Sequence, residues 1–303
     1  MNEIITEILK LKKEKDAVIL AHNYQLPEVQ DIADFVGDSL ELSKLTANVK
    51  ASLIIFCGVR FMAETAKILS PKKDVLLPAL TAGCPLADMI DTNSLALLKE
   101  KHPNASTVCY VNSSVEIKAM SDVCCTSANA LKIVESIDNN EVLFVPDKGL
   151  GRYVAEKTNK KVILYEGYCP THFRITKEDV LKAKELHPEA IIIVHPECPK
   201  EVRDISDFVF GTGGMLKFAR ESKYNKFLIG TEEGMIYRLK KEIPNKEFYL
   251  INSKLYCPNM KKTNLQLLYE SLSEFKYSIE IPDDILERAQ QPLLKMFEIE
   301  SKL

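Results

Sequence analysis

The stretch "SDVCCTS" at residues 121–127 has two further copies in the chain, "ADFVGDS" at 33–39 and "SDFVFGT" at 206–212. Each copy consists of a small residue, an aspartate, an apolar core and a final Ser or Thr. The aspartates of successive copies are 88 and 85 residues apart. Similar segments at a nearly fixed spacing indicate an internal structural repeat. The sequence therefore predicts three copies of one structural unit.

Around each copy, short apolar runs alternate with helical stretches of about a dozen residues, a pattern typical of βαβ units with parallel strands. We therefore expect an α/β fold of three three-layer α/β/α domains, each with a small parallel sheet. A pseudo-threefold axis should relate them around a central cavity. The predicted boundaries are an N-terminal helix at 1–17, α/β repeats at 18–103, 104–188 and 189–275, and a helical tail at 276–303.

Composition and net charge indicate which classes of protein the sequence does not favour. The chain has 303 residues, of which 46% are hydrophobic and 27% charged, with a formal net charge of −3. This balance does not favour a general binder of nucleic acid or of membrane surfaces. The N-terminus lacks the apolar core of a signal peptide, and no apolar run reaches the roughly 20 residues of a membrane helix. We therefore expect a cytoplasmic enzyme.

The eight cysteines are not expected to form disulfides, because the cytoplasm keeps thiols reduced. Three of them, Cys84, Cys169 and Cys257, precede proline at the end of each repeat, 85 and 88 residues apart. Cys198 also precedes proline but falls outside this spacing. Free cysteine in an apolar strand behaves as a small hydrophobic residue. We expect that role for Cys57, Cys109, Cys124 and Cys125.

Three loops at the carboxyl ends of parallel strands can bring their cysteines to one point, because ligand sites of α/β sheets lie at those ends. Zinc would be satisfied by three thiolates and a histidine, and His172 is a candidate fourth ligand. An iron–sulfur cluster is normally held by four thiolates, so three would leave one iron open. An open metal position can act as a Lewis acid on a substrate. The spacing leaves both metals open.

Polar side chains follow the first apolar strand of each repeat. The stretch "VILAHNYQ" at 18–25 shows the pattern, and the three sets are His22, Asn23 and Tyr24, then Tyr110 and Asn112, then His195 and Glu197. We expect all of them to line one cavity. Ser39, Ser127 and Thr212 stand where helices are predicted to begin. Such hydroxyls either cap the helix amides or help to bind an anion there. Together they indicate an anionic substrate that carries phosphate, carboxylates or both.

At these residues the sequence resembles the quinolinate synthase family, the A protein of bacterial de novo NAD biosynthesis. The resemblance covers nearly the whole chain and rests on the motifs "AHNYQ", "GDSLELS", "AGCPLADM", "YVNSS", "EGYCPTH", "HPEC", "GTGGM" and "KLYCPNMK". It implies three pseudo-symmetric α/β/α domains around one 4Fe–4S cluster per chain, held by Cys84, Cys169 and Cys257. The chain has no cysteine after Cys257, so it resembles the shorter form of the family.

The resemblance also implies an activity, the transferase-type condensation of iminoaspartate (iminosuccinate) with dihydroxyacetone phosphate to quinolinate, with release of phosphate and water. The implied catalytic residues are Glu197 as general base, His195 beside it, and Tyr24 and Tyr110 as proton donors. The implied substrate-binding residues are His22, Ser39, Tyr110, Val111, Asn112, Ser127, His195, Pro196, Glu197 and Thr212. The role of His172 stays open. A transient contact with an iminoaspartate-producing oxidase is a further hypothesis.

Two other interpretations use the same three cysteines. A different cluster-dependent hydro-lyase also needs three thiolates and an open iron. A metal or redox sensor would use the thiolates without turnover, but this interpretation does not explain the polar side chains at the strand ends. Neither interpretation involves nucleic acid or a membrane.

Overall fold

The structure is a computed structural model that describes residues 3–302. It contains three four-stranded parallel sheets with helices around them. The first sheet has the order β2-β1-β3-β4. Its strands are β1 (Ala17–His22), β2 (Phe35–Gly37), β3 (Leu53–Cys57) and β4 (Asp74–Leu76). Its helices are α1 (Glu3–Glu14), α2 (Pro27–Ile32), α3 (Ser39–Asn48), α4 (Arg60–Leu69) and α5 (Thr92–Lys101), with a 3₁₀ turn at Ala87–Met89.

The second and third sheets repeat this order, as β6-β5-β7-β8 and β10-β9-β11-β12. The second group contains β5 (Ser106–Tyr110), α6 (Val115–Ala119), β6 (Val123–Cys125), α7 (Ala130–Glu135), β7 (Glu141–Val145), α8 (Lys148–Ala155), β8 (Lys161–Leu164), α9 (Pro170–Phe173) and α10 (Lys177–Leu186). The third contains β9 (Ile191–Val194), α11 (Lys200–Arg203), β10 (Phe208–Val209), α12 (Thr212–Glu221), β11 (Lys226–Gly230), α13 (Gly234–Glu242) and β12 (Glu247–Leu250). The predicted fold class, three α/β/α domains with small parallel sheets, is confirmed, whereas the domain boundaries stay predictions.

The repeated aspartates have a structural role in these sheets. In each domain the aspartate side chain accepts the amide of a residue in the central strand, and its own amide donates to the same residue's carbonyl. The three pairs are Asp34 with Ile19 (2.8 Å), Asp122 with Thr107 (2.7 Å) and Asp207 with Ile192 (2.8 Å). This contact sets where the edge strand begins to pair with the central strand. It explains why the aspartate recurs in all three repeats.

Two helices at the C-terminal end of the described chain return to earlier domains. Helix α14 (Leu265–Glu274) lies in the third predicted repeat but packs against α1 and β3 of the first domain. Helix α15 (Asp283–Ser301) packs against α6, β6 and α4. Both helices therefore connect domains that the sequence repeat treats as separate. Within residues 3–302, no helix is long and apolar enough to cross a membrane.

The central strands are almost continuously apolar because helices cover both faces of each sheet, as in other parallel sheets. All five residues of β3 are buried, and so are Val18 to His22 of β1. The polar side chains that follow β1, β5 and β9 lie at the carboxyl ends of the three sheets. These ends face one cavity.

Candidate active site

A cavity of about 250 Å³ receives side chains from all three domains. The predicted site residues that line it are His22, Tyr24, Ser39, Cys84, Tyr110, Asn112, Ser127, Cys169, His172, His195, Glu197, Thr212 and Cys257. Val111 and Pro196 do not belong to its lining. Val111 is buried in the second domain, where its amide donates to the Cys125 carbonyl at 2.9 Å. Pro196 is buried between the lining residues His195 and Glu197.

Cys84, Cys169 and Cys257 are the three cysteines in the cavity wall, one from the loop that follows the last strand of each sheet. All three are free thiols and partly exposed, whereas the other five cysteines are buried. Cys198 belongs to the apolar core of the third domain and does not line the cavity. The sequence spacing that separated it from the other three therefore matches its position in the structure.

The three thiols are suited to a metal cluster. The pKa of Cys84 is raised to about 12, chiefly by burial and to a smaller extent by the nearby Cys257 sulfur. Burial likewise raises the pKa of Cys169 and Cys257, with Cys84 a further cause for Cys169. With pKa values raised in this way, the three side chains are neutral thiols unless bound cations stabilise the thiolates. An all-thiolate donor set of this kind fits an iron–sulfur cluster.

A continuous chain of hydrogen bonds crosses the cavity wall. The buried Glu197 carboxylate accepts the Tyr110 hydroxyl at 2.6 Å, and its other oxygen lies 2.6 Å from His172 Nδ1. His172 Nε2 lies 2.7 Å from Thr231 Oγ1, which is 2.5 Å from the Tyr24 hydroxyl. The chain therefore joins two phenols on different domains through a carboxylate, an imidazole and a hydroxyl.

The protonation states determine which group donates and which accepts in each of these hydrogen bonds. Burial favours a raised pKa for Glu197, but the two adjacent histidine rings and the hydrogen bonds from His172 and Tyr110 lower it, so we assign an ionised carboxylate at neutral pH. Glu197 then accepts from both neighbours, and His172 carries its proton on Nδ1. With a neutral His172 ring in this tautomer, Nε2 accepts from Thr231, and Thr231 accepts from Tyr24. Burial raises the pKa of both tyrosines, so both stay protonated.

His22 and His195 hold equivalent positions at the ends of β1 and β9. In each, Nδ1 accepts the amide of the second following residue, at 3.2 Å for His22 and 3.3 Å for His195. Burial lowers the pKa of both imidazoles to about 3, so they are neutral and carry their proton on Nε2. His195 Nε2 thus donates to Ser127 Oγ at 3.2 Å, and its ring stacks on His172 with centroids 4.3 Å apart.

Helix capping differs from the sequence expectation. Helix α3 begins at Ser39, but its cap is Asp38, whose side chain accepts the amides of Leu40 and Glu41. The cap of α12 is Gly211, and α7 begins only at Ala130 after an Asn129 cap. Of the two roles considered for these hydroxyls, capping is therefore not the one observed for Ser39, Ser127 or Thr212, and only Ser39 and Thr212 begin a helix as predicted. Because Asp38 and Glu41 form a capping box, the first amides of α3 are already satisfied.

The Thr212 hydroxyl is oriented by a polar chain from outside the cavity. Arg238 donates to Asn23 Oδ1 at 2.7 Å, which places the Asn23 amide nitrogen towards Thr212. That nitrogen donates to Thr212 Oγ1 at 2.8 Å. The Thr212 proton is then free to point into the cavity. Asn112 Oδ1 is buried and has no hydrogen-bond partner among residues 3–302, so it is available to a ligand.

Sequence reasoning missed several residues of this site. Thr231 is fully buried in the hydrogen-bond chain, and no motif marks it. Asp147 and Glu232 are fully buried carboxylates that accept the backbone amides of Cys169 and Cys257, both at 3.1 Å. Both could have been identified in the sequence as acidic residues that follow an apolar strand closely.

One mixed group of donors also lies in the cavity. Ligand atoms of Cys169, His172 and Glu197 fall within 4.8 Å of one another. Both ring nitrogens of His172 are, however, engaged by Glu197 and Thr231. A metal ion bound by His172 would therefore have to displace one of these two hydrogen bonds.

The chain is similar to known proteins over nearly its whole length. The family profile described as "Quinolinate synthetase A protein" matches residues 6–298. A quinolinate synthase of Caldicellulosiruptor saccharolyticus is 52% identical over 300 residues, covering 99% of both chains. Relatives with the same name from Clostridium perfringens and Thermodesulfovibrio yellowstonii are 51% and 50% identical, each covering 98% of this chain. The sequence resemblance is confirmed: the chain belongs to the quinolinate synthetase A protein family.

Proposed function

We propose that this chain is a quinolinate synthase that condenses iminoaspartate with dihydroxyacetone phosphate. The products are quinolinate, one phosphate and two waters, which balances all atoms of the two substrates. One observation supports the proposal above all. The three repeat-equivalent cysteines line the same cavity as the hydrogen-bonded carboxylate, imidazole and phenol groups, and the protein belongs to this family. We place this activity in the cytoplasm, and the contact with an iminoaspartate-producing oxidase stays a hypothesis.

The reaction needs both proton removal and proton delivery. It forms one C–C and one C–N bond, and each dehydration takes a proton from the substrate and adds one to a departing hydroxyl. Glu197 is ionised and buried, so it serves as general base. Tyr110 is protonated and 2.6 Å from Glu197, so it can deliver a proton and be reprotonated from the carboxyl group.

Tyr24 forms the other end of the same system. When Tyr24 has given up its proton to a departing group and His172 holds its proton on Nε2, Thr231 donates to Tyr24, Nε2 donates to Thr231, and protonated Glu197 donates to Nδ1. The proton that Glu197 removes from one substrate carbon is thus available at either phenol. This assigns His172 and Thr231 the role of proton carriers between the base and Tyr24.

The anionic groups of the substrates are bound by neutral donors. The Nε2–H of His22 and the hydroxyls of Ser39, Ser127 and Thr212 line the cavity, and the unpaired Asn112 Oδ1 can accept from a substrate hydroxyl or N–H group. Neutral donors bind carboxylate and phosphate oxygens without adding unpaired positive charge to a buried site. Ser127 is oriented by His195 and Thr212 by Asn23, so both protons point to the ligand.

We propose that Cys84, Cys169 and Cys257 hold one 4Fe–4S cluster. When bound, such a cluster presents one iron without a protein ligand, which supplies Lewis-acid polarisation of a substrate oxygen. The protein contributes the three thiolates, the buried carboxylates that orient two of their loops, and the cavity that receives the substrates.

The test is formation of quinolinate from iminoaspartate and dihydroxyacetone phosphate by anaerobically purified protein. Cys169→Ala should abolish formation, and the matched control Cys198→Ala should retain it, because Cys198 lies in the third domain's core. A cluster-containing protein that dehydrates another substrate but makes no quinolinate would support the hydro-lyase instead. A protein that binds metal without any turnover would support the sensor.

A further inference from the structure

A buried ion pair connects the third cysteine loop to the first domain. Both oxygens of Glu232 are occupied, since one accepts the Cys257 amide at 3.1 Å and the other accepts the Gly234 amide at 2.8 Å. Lys261 Nζ lies 3.1 Å from this carboxylate. The two side chains are 0% and 5% exposed. A pair this buried is held in one geometry, because either charge alone would be unsatisfied.

The same ammonium group also contacts the loop that carries Tyr24. Lys261 Nζ donates to the Tyr24 carbonyl at 2.6 Å. One residue on, Gln25 donates to the Met260 carbonyl at 2.7 Å, beside Lys261. The loop of Cys257 and the loop of Tyr24 are therefore joined side by side, although they are more than 230 residues apart in the chain.

There is no spare room at this junction. A Cβ atom on Gly234 would lie 2.8 Å from both Lys261 Nζ and the Tyr24 backbone. Glycine at this position therefore lets the first turn of α13 approach the ion pair and the Tyr24 loop directly. The close contact fixes the distance between the two loops.

The second domain contains a partial equivalent. Asp147 follows β7 by two residues, as Glu232 follows β11, and its Oδ2 accepts the Cys169 amide at 3.1 Å. Its Oδ1 accepts the Leu150 amide at 2.6 Å, within its own domain. Asp147 thus orients a cysteine loop in the same way as Glu232, but without a lysine that reaches a catalytic tyrosine. It provides a natural control.

We propose that Glu232 and Lys261 are positioning residues that couple the Cys257 loop to the placement of Tyr24. Glu232 fixes the amide of the cysteine, Lys261 fixes the carbonyl of the tyrosine, and the ion pair makes the two positions interdependent. This inference rests on the proposed function, in which Cys257 ligates the cluster and Tyr24 delivers a proton. It goes further by assigning a role to two residues outside the proposed ligands and proton carriers.

The test compares Lys261→Met with Asp147→Asn, each with and without Tyr24→Phe. The first measurement is the rate at which a chelator removes iron from the anaerobic protein. Both variants should lose iron about tenfold faster than wild type, as expected when a contact that orients a metal ligand is removed. The second measurement is quinolinate formation per cluster.

The two variants should differ in the second measurement. Tyr24→Phe should lower the rate about 100-fold in the Asp147→Asn protein, as in wild type, but less than threefold in the Lys261→Met protein, where the phenol is already misplaced. If Lys261→Met does not fold, Glu232→Gln/Lys261→Met removes both charges together and should give the same result. Unchanged iron loss, or an undiminished effect of Tyr24→Phe, would overturn the coupling. Wild-type protein without iron would instead overturn the proposed function, and the inference with it.

Discussion

Replacing Thr231 by valine should break the hydrogen-bond chain at its centre with little change of shape. The Thr231 hydroxyl bridges His172 Nε2 at 2.7 Å and the Tyr24 hydroxyl at 2.5 Å, and Thr231 is fully buried. Valine has nearly the same volume, so Thr231→Val leaves no cavity but removes both hydrogen bonds.

The expected cost follows from the burial of the two partners. His172 is 2% exposed and loses the Thr231 hydrogen bond at Nε2, which costs about 1–3 kcal/mol. Tyr24 is 8% exposed and lines the cavity, so water can partly replace its partner and the cost there is about 1 kcal/mol. The free energy of unfolding should fall by about 2–4 kcal/mol in total. The rate of quinolinate formation should fall about 100-fold, the lower range for loss of one proton-transfer path.

Two assays measure these effects, urea unfolding followed by circular dichroism and quinolinate formation under anaerobic conditions. Thr231→Ser is the matched control, because it keeps the hydroxyl and should retain stability to within about 1 kcal/mol and most of the activity. If Thr231→Val behaves like Thr231→Ser in both assays, the hydroxyl does not connect Tyr24 to His172, and the proposed proton path is wrong.

Further predictions concern charge and protonation. His22 and His195 are neutral in the fold with a pKa of about 3, below the unfolded value of 6.5, so stability is complete above pH 6.5 and is lost as the pH falls. At pH 5, each of these two histidines should lower the free energy of unfolding by about 2 kcal/mol relative to pH 7. Urea unfolding of His195→Gln should therefore show a loss of stability between pH 7 and pH 5 that is smaller by about this amount. Glu197→Gln should lower kcat by about 100-fold or more with unchanged iron content, measured by assay and iron analysis. Arg238→Met should raise one substrate KM by about tenfold, since the amide that orients Thr212 is freed, and unchanged values for both substrates would contradict this role.

The fold and the cysteine trio could be predicted because both depend on periodicity along the chain. A repeat that recurs at 88 and 85 residues fixes which cysteines are equivalent, and it separates Cys198 from Cys84, Cys169 and Cys257. Strand ends of equivalent repeats meet at one edge in a parallel fold, which brings His22 and His195 to one cavity. These inferences need no knowledge of side-chain geometry.

The remaining features depend on contacts between distant segments, which periodicity does not record. Helix α14 lies in the third repeat by sequence but packs on the first domain. The role of His172 follows only from the positions of Glu197 and Thr231, which lie 25 and 59 residues away. The choice between capping and anion binding at Ser39 needed the structure, in which the Asp38 carboxylate, one residue earlier, accepts the amides that the serine could have capped.

The central claim is that one cysteine from each domain contributes to a single 4Fe–4S cluster. The direct measurement is iron and sulfide per chain in anaerobically purified wild type and in the variants Cys84→Ala, Cys169→Ala, Cys257→Ala and Cys198→Ala. Wild type and Cys198→Ala should contain about four irons and four sulfides, and the other three variants should contain almost none. Full iron and sulfide in any of those three variants, or zinc in place of iron in the wild type, would contradict the account.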